Sequence, residues 1–174
     1  MILIGIIAFV MFALGDANDA FFKKKLLKIC FPIGFGLLAA VTAFGLDFSG
    51  KLSVGWLVAA AVFLLLEIYA LFGSFSAEDA YIANEKQRMV YTKGVYAMCR
   101  HPGVLFFIGL YVCLSLAADF SWVQTIVFCI LDIALVAFED KCTFPHILSG
   151  YEEYRNTTPF LVPNAGSIGK MLRK

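Results

Sequence analysis

The stretch TKGVYAMCRHP, at residues 92–102, separates a largely apolar N-terminal half from an apolar hairpin that begins near Val104. A residue that precedes proline is disfavoured in the α region, whereas proline itself suits the first turn of a helix. His101-Pro102 therefore predicts a helix start, where free backbone N–H groups and the positive end of the helix dipole favour an anionic group. The alternative interpretation is that Arg100 is a membrane-interface arginine that only sets topology.

The composition indicates an integral membrane protein. The chain has 174 residues, of which 61% are hydrophobic and 16% are charged, and its mean hydropathy is +0.83. Soluble domains average roughly 45–50% apolar and about 25% charged residues. The length suits one compact helical bundle rather than several domains.

The basic residues are distributed unevenly. All of the 14 Lys and Arg residues except Lys51 lie in three polar segments, at 23–28, 86–100 and 141–174. Five spans with the N-terminus outside would place these three segments on one face of the membrane. The positive-inside rule predicts that this face is cytoplasmic.

Five apolar stretches predict an all-α, polytopic membrane helical bundle of about five transmembrane helices with a C-terminal cytoplasmic helical cap. The first stretch is shorter than the roughly 20 residues that a bilayer core needs; we expect Asp16, Asn18 and Asp19 to end it, and residues 21–28 to form a basic amphipathic connection. The connection at 119–121 is so short that the last two spans must form an antiparallel hairpin. The predicted spans are 2–14, 29–46, 54–72, 104–118 and 122–138.

We interpret the chain as a single membrane domain with four parts. The N-terminal spans occupy residues 1–73, a cytoplasmic loop 74–102, the helical hairpin 103–138, and the capping segment with a basic tail 139–174. The loop is unusually long for a helical bundle, which favours a functional role over that of a simple linker.

Several carboxyl groups fall inside predicted spans, where charge is costly and each is a functional candidate. Glu67 lies in the third span and Asp132 in the fifth. Seven residues are close to two helical turns, so Thr125, Asp132 and Glu139 share one face. Hydrogen bonding between helices is the simplest interpretation of Glu67 and Asp132.

Adjacent carboxyls follow the hairpin at Glu139 and Asp140. Because the hairpin returns the chain to the same membrane face, they are predicted to meet Arg100 and His101 in a charged pocket. Farther on, Tyr151 and Tyr154 are spaced i, i+3 and share a helical face, although an interfacial aromatic belt would have the same pattern. The five cysteines show no paired spacing and the chain has only two histidines, so we predict no metal site.

The order of these motifs resembles that of a known superfamily. T-x-G-V-Y-x-x-x-R-H-P at 92–102, E-D at 139–140 and G-Y-x-x-Y-x-x-x-T-P-x-x-x-P at 150–163 are similar to the isoprenylcysteine carboxyl methyltransferase and phospholipid methyltransferase superfamily. The resemblance covers residues 92–163. It departs at Val104 and Phe106, where the family commonly has tyrosine and glycine.

The resemblance implies a membrane methyltransferase that uses S-adenosylmethionine and releases S-adenosylhomocysteine. It implies a lipid or lipophilic acceptor, such as an isoprenylcysteine-like carboxylate or a phospholipid amine, rather than nucleic acid. Arg100 and Glu139 are the implied catalytic residues. Arg155 is a third catalytic candidate from its charge alone, with two open interpretations: it steadies an anionic acceptor, or it anchors the chain at the lipid headgroups. The implied cofactor-binding residues, at the cytoplasmic ends of the last two spans and in the cap, are Tyr96, Arg100, His101, Pro102, Glu139, Asp140, Tyr151 and Tyr154.

Two other functions fit the same sequence. One is a membrane reductase of the steroid-reductase-like type, which would use NADPH. The other is a non-enzymatic carrier coupled to protons, in which Glu67 and Asp132 would be the essential residues.

Overall fold

The helices of the protein follow the apolar stretches of its sequence. The computed structural model describes residues 1–50, 52–73 and 88–172. Two short strands, β1 (Arg88–Met89) and β2 (Leu148–Ser149), pair in parallel. The principal helices are α1 (Ile2–Phe22), α2 (Lys25–Gly45), α3 (Val54–Phe72), α4 (Pro102–Ala117), α5 (Trp122–Ile147), α6 (Tyr151–Thr157) and α7 (Ala165–Leu172).

Four of these helices are long and apolar enough to cross a membrane. Helices α1, α2, α3 and α5 contain between 19 and 26 residues, whereas α4 is also apolar but has 16. Their outward faces carry large exposed apolar side chains, for example Leu3 (74% exposed), Leu65 (66%) and Ile130 (60%). Such faces suit lipid contact, so the fold is that of a helical membrane bundle.

The predicted end of the first helix was wrong. Instead of stopping at Asp16, α1 continues through a five-residue π-helical turn, Asn18–Phe22. Asn18 is completely buried, and its Oδ1 accepts a hydrogen bond of 2.8 Å from the backbone N–H of Lys24. The polar side chain therefore closes the turn into α2 rather than interrupting α1, and α1 reaches 21 residues.

The two long polar connections also differ from the prediction. The connection predicted at 21–28 is reduced to Lys23 and Lys24, because Lys25–Ile29 forms a 3₁₀ turn that leads into α2. In the predicted loop at 74–102, residues 74–87 lie outside the described residues. The remainder contains β1 and a 3₁₀ turn at Gly94–Ala97.

Glycines allow close packing between helices, and Gly34 and Gly109 are two examples. A Cβ atom at Gly34 of α2 would lie 2.8 Å from the carbonyl oxygen of Ala8 in α1. A Cβ atom at Gly109 of α4 would lie 2.5 Å from the ring of Phe63 in α3. Small residues at such points let helices approach closely, as is usual in membrane bundles.

An aromatic core joins the N-terminal helices to the hairpin. The Phe9 ring of α1 lies 6.0 Å from Phe107 of α4 and 6.3 Å from Phe128 of α5, and Tyr111 lies 5.6 Å from Phe128. The Tyr111 hydroxyl is hydrogen-bonded to Thr42 of α2 at 2.5 Å. These contacts fix α4 and α5 against α1 and α2.

The predicted antiparallel hairpin of α4 and α5 is present, with a connection at residues 118–121. It brings the start of α4 and the end of α5 to the same end of the bundle, next to the ends of α1 and α3. We call this end, which contains Asp16, Arg100 and Glu139, the site end. At the opposite end, the backbone N–H of Asp47 donates to the carbonyl of Ala118 at 2.9 Å.

Candidate functional site

The site begins where the polar segment turns into α4. His101 is the N-terminal cap residue of α4, with φ −125° and ψ 66°, and Pro102 is its first residue. The His-Pro pair predicts this change from non-helical backbone at His101 to helical backbone at Pro102. Arg100 and His101 are thereby held just before the helix, facing the last turns of α5.

Asp140 is the centre of the polar contacts at the site end. Arg100 donates to it twice, from Nε to Oδ1 at 2.7 Å and from Nη2 to Oδ2 at 3.1 Å. The Tyr151 hydroxyl also donates to Oδ1, at 2.6 Å. Asp140 is only 3% exposed, and a buried carboxylate needs such charge-assisted partners.

Arg100 also ties the C-terminal segment to the hairpin. Its Nη1 donates to the carbonyl oxygens of Arg155, at 2.8 Å, and Thr158, at 2.6 Å, at the end of α6. The backbone N–H of Arg100 donates to Pro159, at 2.9 Å, and that of His101 donates to Phe160, at 3.3 Å. The two side-chain bonds to Asp140 and the two to the carbonyl oxygens of Arg155 and Thr158 occupy four of the five N–H donors of the guanidinium. Arg100 therefore chiefly holds protein groups in place.

The tyrosines of the site add hydrogen bonds that hold the C-terminal segment in place. Gly150 has φ +80°, a conformation that glycine adopts without strain, and it turns the chain from β2 into α6. Tyr154 then donates to the carbonyl of Tyr96 at 2.7 Å, and Tyr96 donates to the carbonyl of Ala70 at 2.8 Å. Burial raises the pKa of Tyr154, and burial together with the bond to Asp140 raises the pKa of Tyr151. Both phenols therefore act as neutral donors.

His101 is buried between aromatic rings and carboxyl groups. Its Nδ1 lies 3.7 Å from Glu139 Oε2, and its Nε2 lies 3.4 Å from Asp140 Oδ1. Phe144 stacks on the imidazole at 5.7 Å. Burial lowers the pKa of His101 to about 4, although Asp140 acts in the opposite direction. At neutral pH the imidazole is therefore uncharged and does not neutralise Glu139.

Glu139 faces a second carboxyl group, that of Asp16 from α1. The two carboxyl groups lie close enough to interact electrostatically, and neighbouring carboxylates repel each other unless a proton or a cation lies between them. Glu139 and Asp140 lie in the π-helical turn Glu139–Thr143. Although they are adjacent in sequence, their carboxyl groups contact different residues. Asp140 is matched by Arg100, whereas Glu139 meets a neutral histidine and another acid.

Asp16 was not among the site residues predicted from the sequence. Its helix lies outside the segment that carries the family resemblance. The available signal was topological, because the first and fifth predicted spans end on the same membrane face. Any acid at the end of one can therefore meet an acid at the end of the other.

The remaining candidates lie around this centre. Arg155 is more exposed, with its Nε 3.7 Å from Asp140 Oδ2 and its Nη1 3.7 Å from Glu152 Oε1. Cys99 is buried, and burial raises its pKa to about 11, so its thiol is unsuited to act as a nucleophile.

The intramembrane acids approach the site from the bundle interior. Among the described residues, Glu67 Oε2, Asp132 Oδ2 and Asp16 Oδ2 are buried without a hydrogen-bond partner. Glu67 lies against the first turn of α4, where a Cβ atom at Gly103 would be 3.4 Å from its carboxyl oxygens. Thr125, on the predicted polar face, is hydrogen-bonded to Ser115 at 2.7 Å.

No protein-family model, curated protein or solved structure matches the chain. What the fold and the site define is therefore a class: a helical membrane protein with a buried, charged junction between its last hairpin and its C-terminal segment. Function is argued below from that junction.

Proposed function

We propose that the protein is a membrane methyltransferase that uses S-adenosylmethionine and acts on a hydrophobic or membrane-presented acceptor. The observation that carries the proposal is the pairing of Glu139 with Asp16 beside the neutral imidazole of His101. The negative charge of Asp140 is matched by Arg100, whereas no lysine or arginine of the described residues forms an ion pair with Glu139 or Asp16. Such a place favours a cationic ligand.

The residues present fit this cofactor in charge and in aromatic character. Glu139 and Asp16 suit its sulfonium and ammonium groups, and the aromatic rings of Phe144 and Phe160, which flank His101, suit a flat or cationic group. When bound, the cofactor supplies an electrophilic methyl group. The chain itself supplies orientation and exclusion of water, through the C-terminal segment that Arg100 and Asp140 hold over the site.

The membrane arrangement that we propose has five spans with the site end in the cytoplasm. Helix α4 would be the additional span; its 16 residues extend about 24 Å, so flanking residues complete the crossing of a core of roughly 30 Å. Every Lys and Arg of the described residues lies at the site end or in the C-terminal segment tied to it. The positive-inside rule then places the N-terminus outside. The C-terminal segment is the proposed cap.

A methyl-transfer assay tests the proposal. Purified protein in nanodiscs receives S-adenosylmethionine with a radiolabelled methyl group and either N-acetyl-S-farnesylcysteine or dioleoylphosphatidylethanolamine, and the label in the organic phase is counted. We expect transfer to one of these acceptors, a loss with Glu139→Gln, and no loss with Glu153→Gln, which is exposed on α6. No transfer to either, together with binding of NADPH by the same preparation, would favour the reductase alternative.

The carrier alternative also has an observation in its favour. Glu67 and Asp132 each have a buried carboxyl oxygen without a partner among the described residues, as expected of groups that exchange protons within a membrane. A carrier predicts that Glu67→Gln and Asp132→Asn abolish function while Glu139→Gln is tolerated. The methyltransferase proposal predicts that Glu139→Gln is the more damaging substitution.

A further inference from the structure

A polar cleft adjoins the site on the side of the N-terminal helices. It lies between the last turns of α1 and the first turns of α2, has a volume of about 190 Å³, and is lined by Gly15, Asp16, Asp19, Lys28 and Phe31. None of these residues belongs to the segment that carries the family resemblance. A larger cavity, of about 380 Å³, lies at the opposite end of the bundle and is mainly apolar.

The cleft presents charges of both signs. Asp16 and Asp19 come from α1, and Lys28 comes from the start of α2. Within the described part of the chain no ion pair joins Lys28 to either acid. Asp16 Oδ2 is buried without a hydrogen-bond partner there. The two signs of charge therefore face one space without forming an ion pair with each other.

The volume of the cleft limits what it can hold. Pockets for drug-sized ligands measure roughly 300–1,000 Å³, so about 190 Å³ admits only a small polar group of a larger molecule. Phe31 lies on the wall of the cleft, and an aromatic face attracts a substituted ammonium. Because the Asp16 carboxyl neighbours that of Glu139, Asp16 belongs both to the wall of the cleft and to the wall of the site.

The surroundings place the cleft at the level of lipid headgroups. The turn that follows α1 carries Lys23 and Lys24, and it is held by hydrogen bonds from their backbone N–H groups to Asn18, at 2.7 and 2.8 Å. Phe22 (54% exposed) and Leu26 (82% exposed) flank this turn. Exposed basic and apolar side chains together are typical of segments at the membrane interface.

We propose that this cleft binds the zwitterionic group of a ligand, with an ammonium beside Asp16 and Asp19 and an anionic group beside Lys28. Two sources have this chemistry: the amino-acid end of S-adenosylmethionine and the phosphoethanolamine headgroup of a lipid. The first source rests on the proposed function, whereas the second does not.

Matched pairs of probes test the proposal and distinguish the two sources. S-adenosylhomocysteine is compared with 5′-methylthioadenosine, which lacks the amino-acid end. Dihexanoylphosphatidylethanolamine is compared with dihexanoylphosphatidylglycerol, which lacks the ammonium. Each is titrated calorimetrically into the full-length protein in detergent, as wild type and as the cleft variants Asp16→Asn and Lys28→Gln. The control variants are Lys25→Gln, exposed in the same interfacial turn, and Asp47→Asn, exposed at the opposite end of the bundle.

In at least one pair, we expect the zwitterionic probe to bind wild type more tightly than its truncated partner. Both cleft variants should weaken that probe about tenfold, the loss of one charged contact, and the controls should not. Lys28 is exposed, so Lys28→Gln tests the cleft without endangering the fold. Binding of S-adenosylhomocysteine that neither cleft variant weakens, without a preference for phosphatidylethanolamine, would overturn the cleft proposal and leave the methyltransferase proposal standing.

Two other results are equally decisive. A preference for phosphatidylethanolamine that both cleft variants remove, in protein that does not bind S-adenosylhomocysteine, would support the cleft and contradict the methyltransferase proposal. An effect of Asp16→Asn without any effect of Lys28→Gln would overturn the cleft proposal, because Asp16 would then act only through Glu139.

Discussion

Arg100 and Asp140 lie 40 residues apart and meet through two hydrogen bonds, of 2.7 and 3.1 Å. One residue precedes the first helix of the hairpin and the other lies in the last turns of the second. Because the same guanidinium also binds the carbonyl oxygens at the end of α6, this pair joins the hairpin and the C-terminal segment into one unit.

Substitution of Arg100 by Ala is expected to destabilise the protein strongly. It leaves the buried Asp140 carboxylate without its cation, which typically costs about 3–5 kcal/mol. Thermal unfolding in detergent measures the loss. Arg155→Ala is the control, because its side chain is 37% exposed and its nearest atom to Asp140 lies at 3.7 Å; equal losses from the two substitutions would contradict the role given to Arg100.

Replacement of Tyr154 by Phe should loosen the C-terminal segment without removing it. The lost hydrogen bond to Tyr96 contributes about 0.5–1.5 kcal/mol. Limited proteolysis should therefore cut the segment after α6 faster in Tyr154→Phe than in wild type. Tyr91→Phe, at a more exposed position, should leave the cutting rate unchanged, and a matching increase there would assign the effect to general destabilisation.

Acid should destabilise the protein through His101. Its folded pKa of about 4 lies below the ordinary 6.5, so the unfolded chain binds the proton more readily. The stabilisation is complete above pH 6.5 and is lost as the pH falls towards 4, by about 2 kcal/mol between pH 7.5 and 5.

A histidine substitution isolates this effect from the titration of nearby carboxyls. Unfolding of wild type and His101→Asn is compared at both pH values. Between these pH values, we expect the free energy of unfolding of His101→Asn to fall by about 2 kcal/mol less than that of wild type. The same acid sensitivity in His101→Asn and wild type would show that other groups cause it.

A methyl group at Gly109 should separate α3 from α4. A Cβ atom there would lie 2.5 Å from the Phe63 ring, and overpacking of this kind costs about 1–3 kcal/mol. Gly36→Ala is the matched control, since a Cβ atom at Gly36 would have no neighbour within 4 Å, and alanine is the better helix former. Thermal unfolding should show destabilisation by Gly109→Ala only; an undiminished melting temperature would mean that this contact is not tight.

Hydropathy and connection lengths were sufficient to predict much of the fold. The helices near 54–72 and 122–138 and the hairpin connection followed from uninterrupted apolar runs and a polar gap too short for any other topology. The polar residues at the end of α1 were misleading. Asp16 and Asn18 resemble a helix end in sequence, but Asp16 lies next to Glu139 from the other end of the chain, and Asn18 closes the turn into α2 through Lys24.

The position of the site could be predicted, but the partner of each charged side chain could not. The hairpin argument correctly brought Arg100 and His101 to Glu139 and Asp140. It could not distinguish a guanidinium that binds a ligand from one that binds protein carbonyl groups, because those carbonyls belong to a segment 55 or more residues away. Nor could it include Asp16, whose helix carries no motif.

The most direct test of the central claim is a calorimetric titration of S-adenosylhomocysteine into folded, detergent-purified protein. Wild type, Glu139→Gln and Glu153→Gln are measured together, the last because Glu153 is exposed on α6. We predict micromolar binding by wild type and Glu153→Gln, and binding weaker by about tenfold in Glu139→Gln, which loses one charged contact. No binding by folded wild type, or equal binding by both variants, would contradict a cofactor site at the junction of the hairpin and the C-terminal segment.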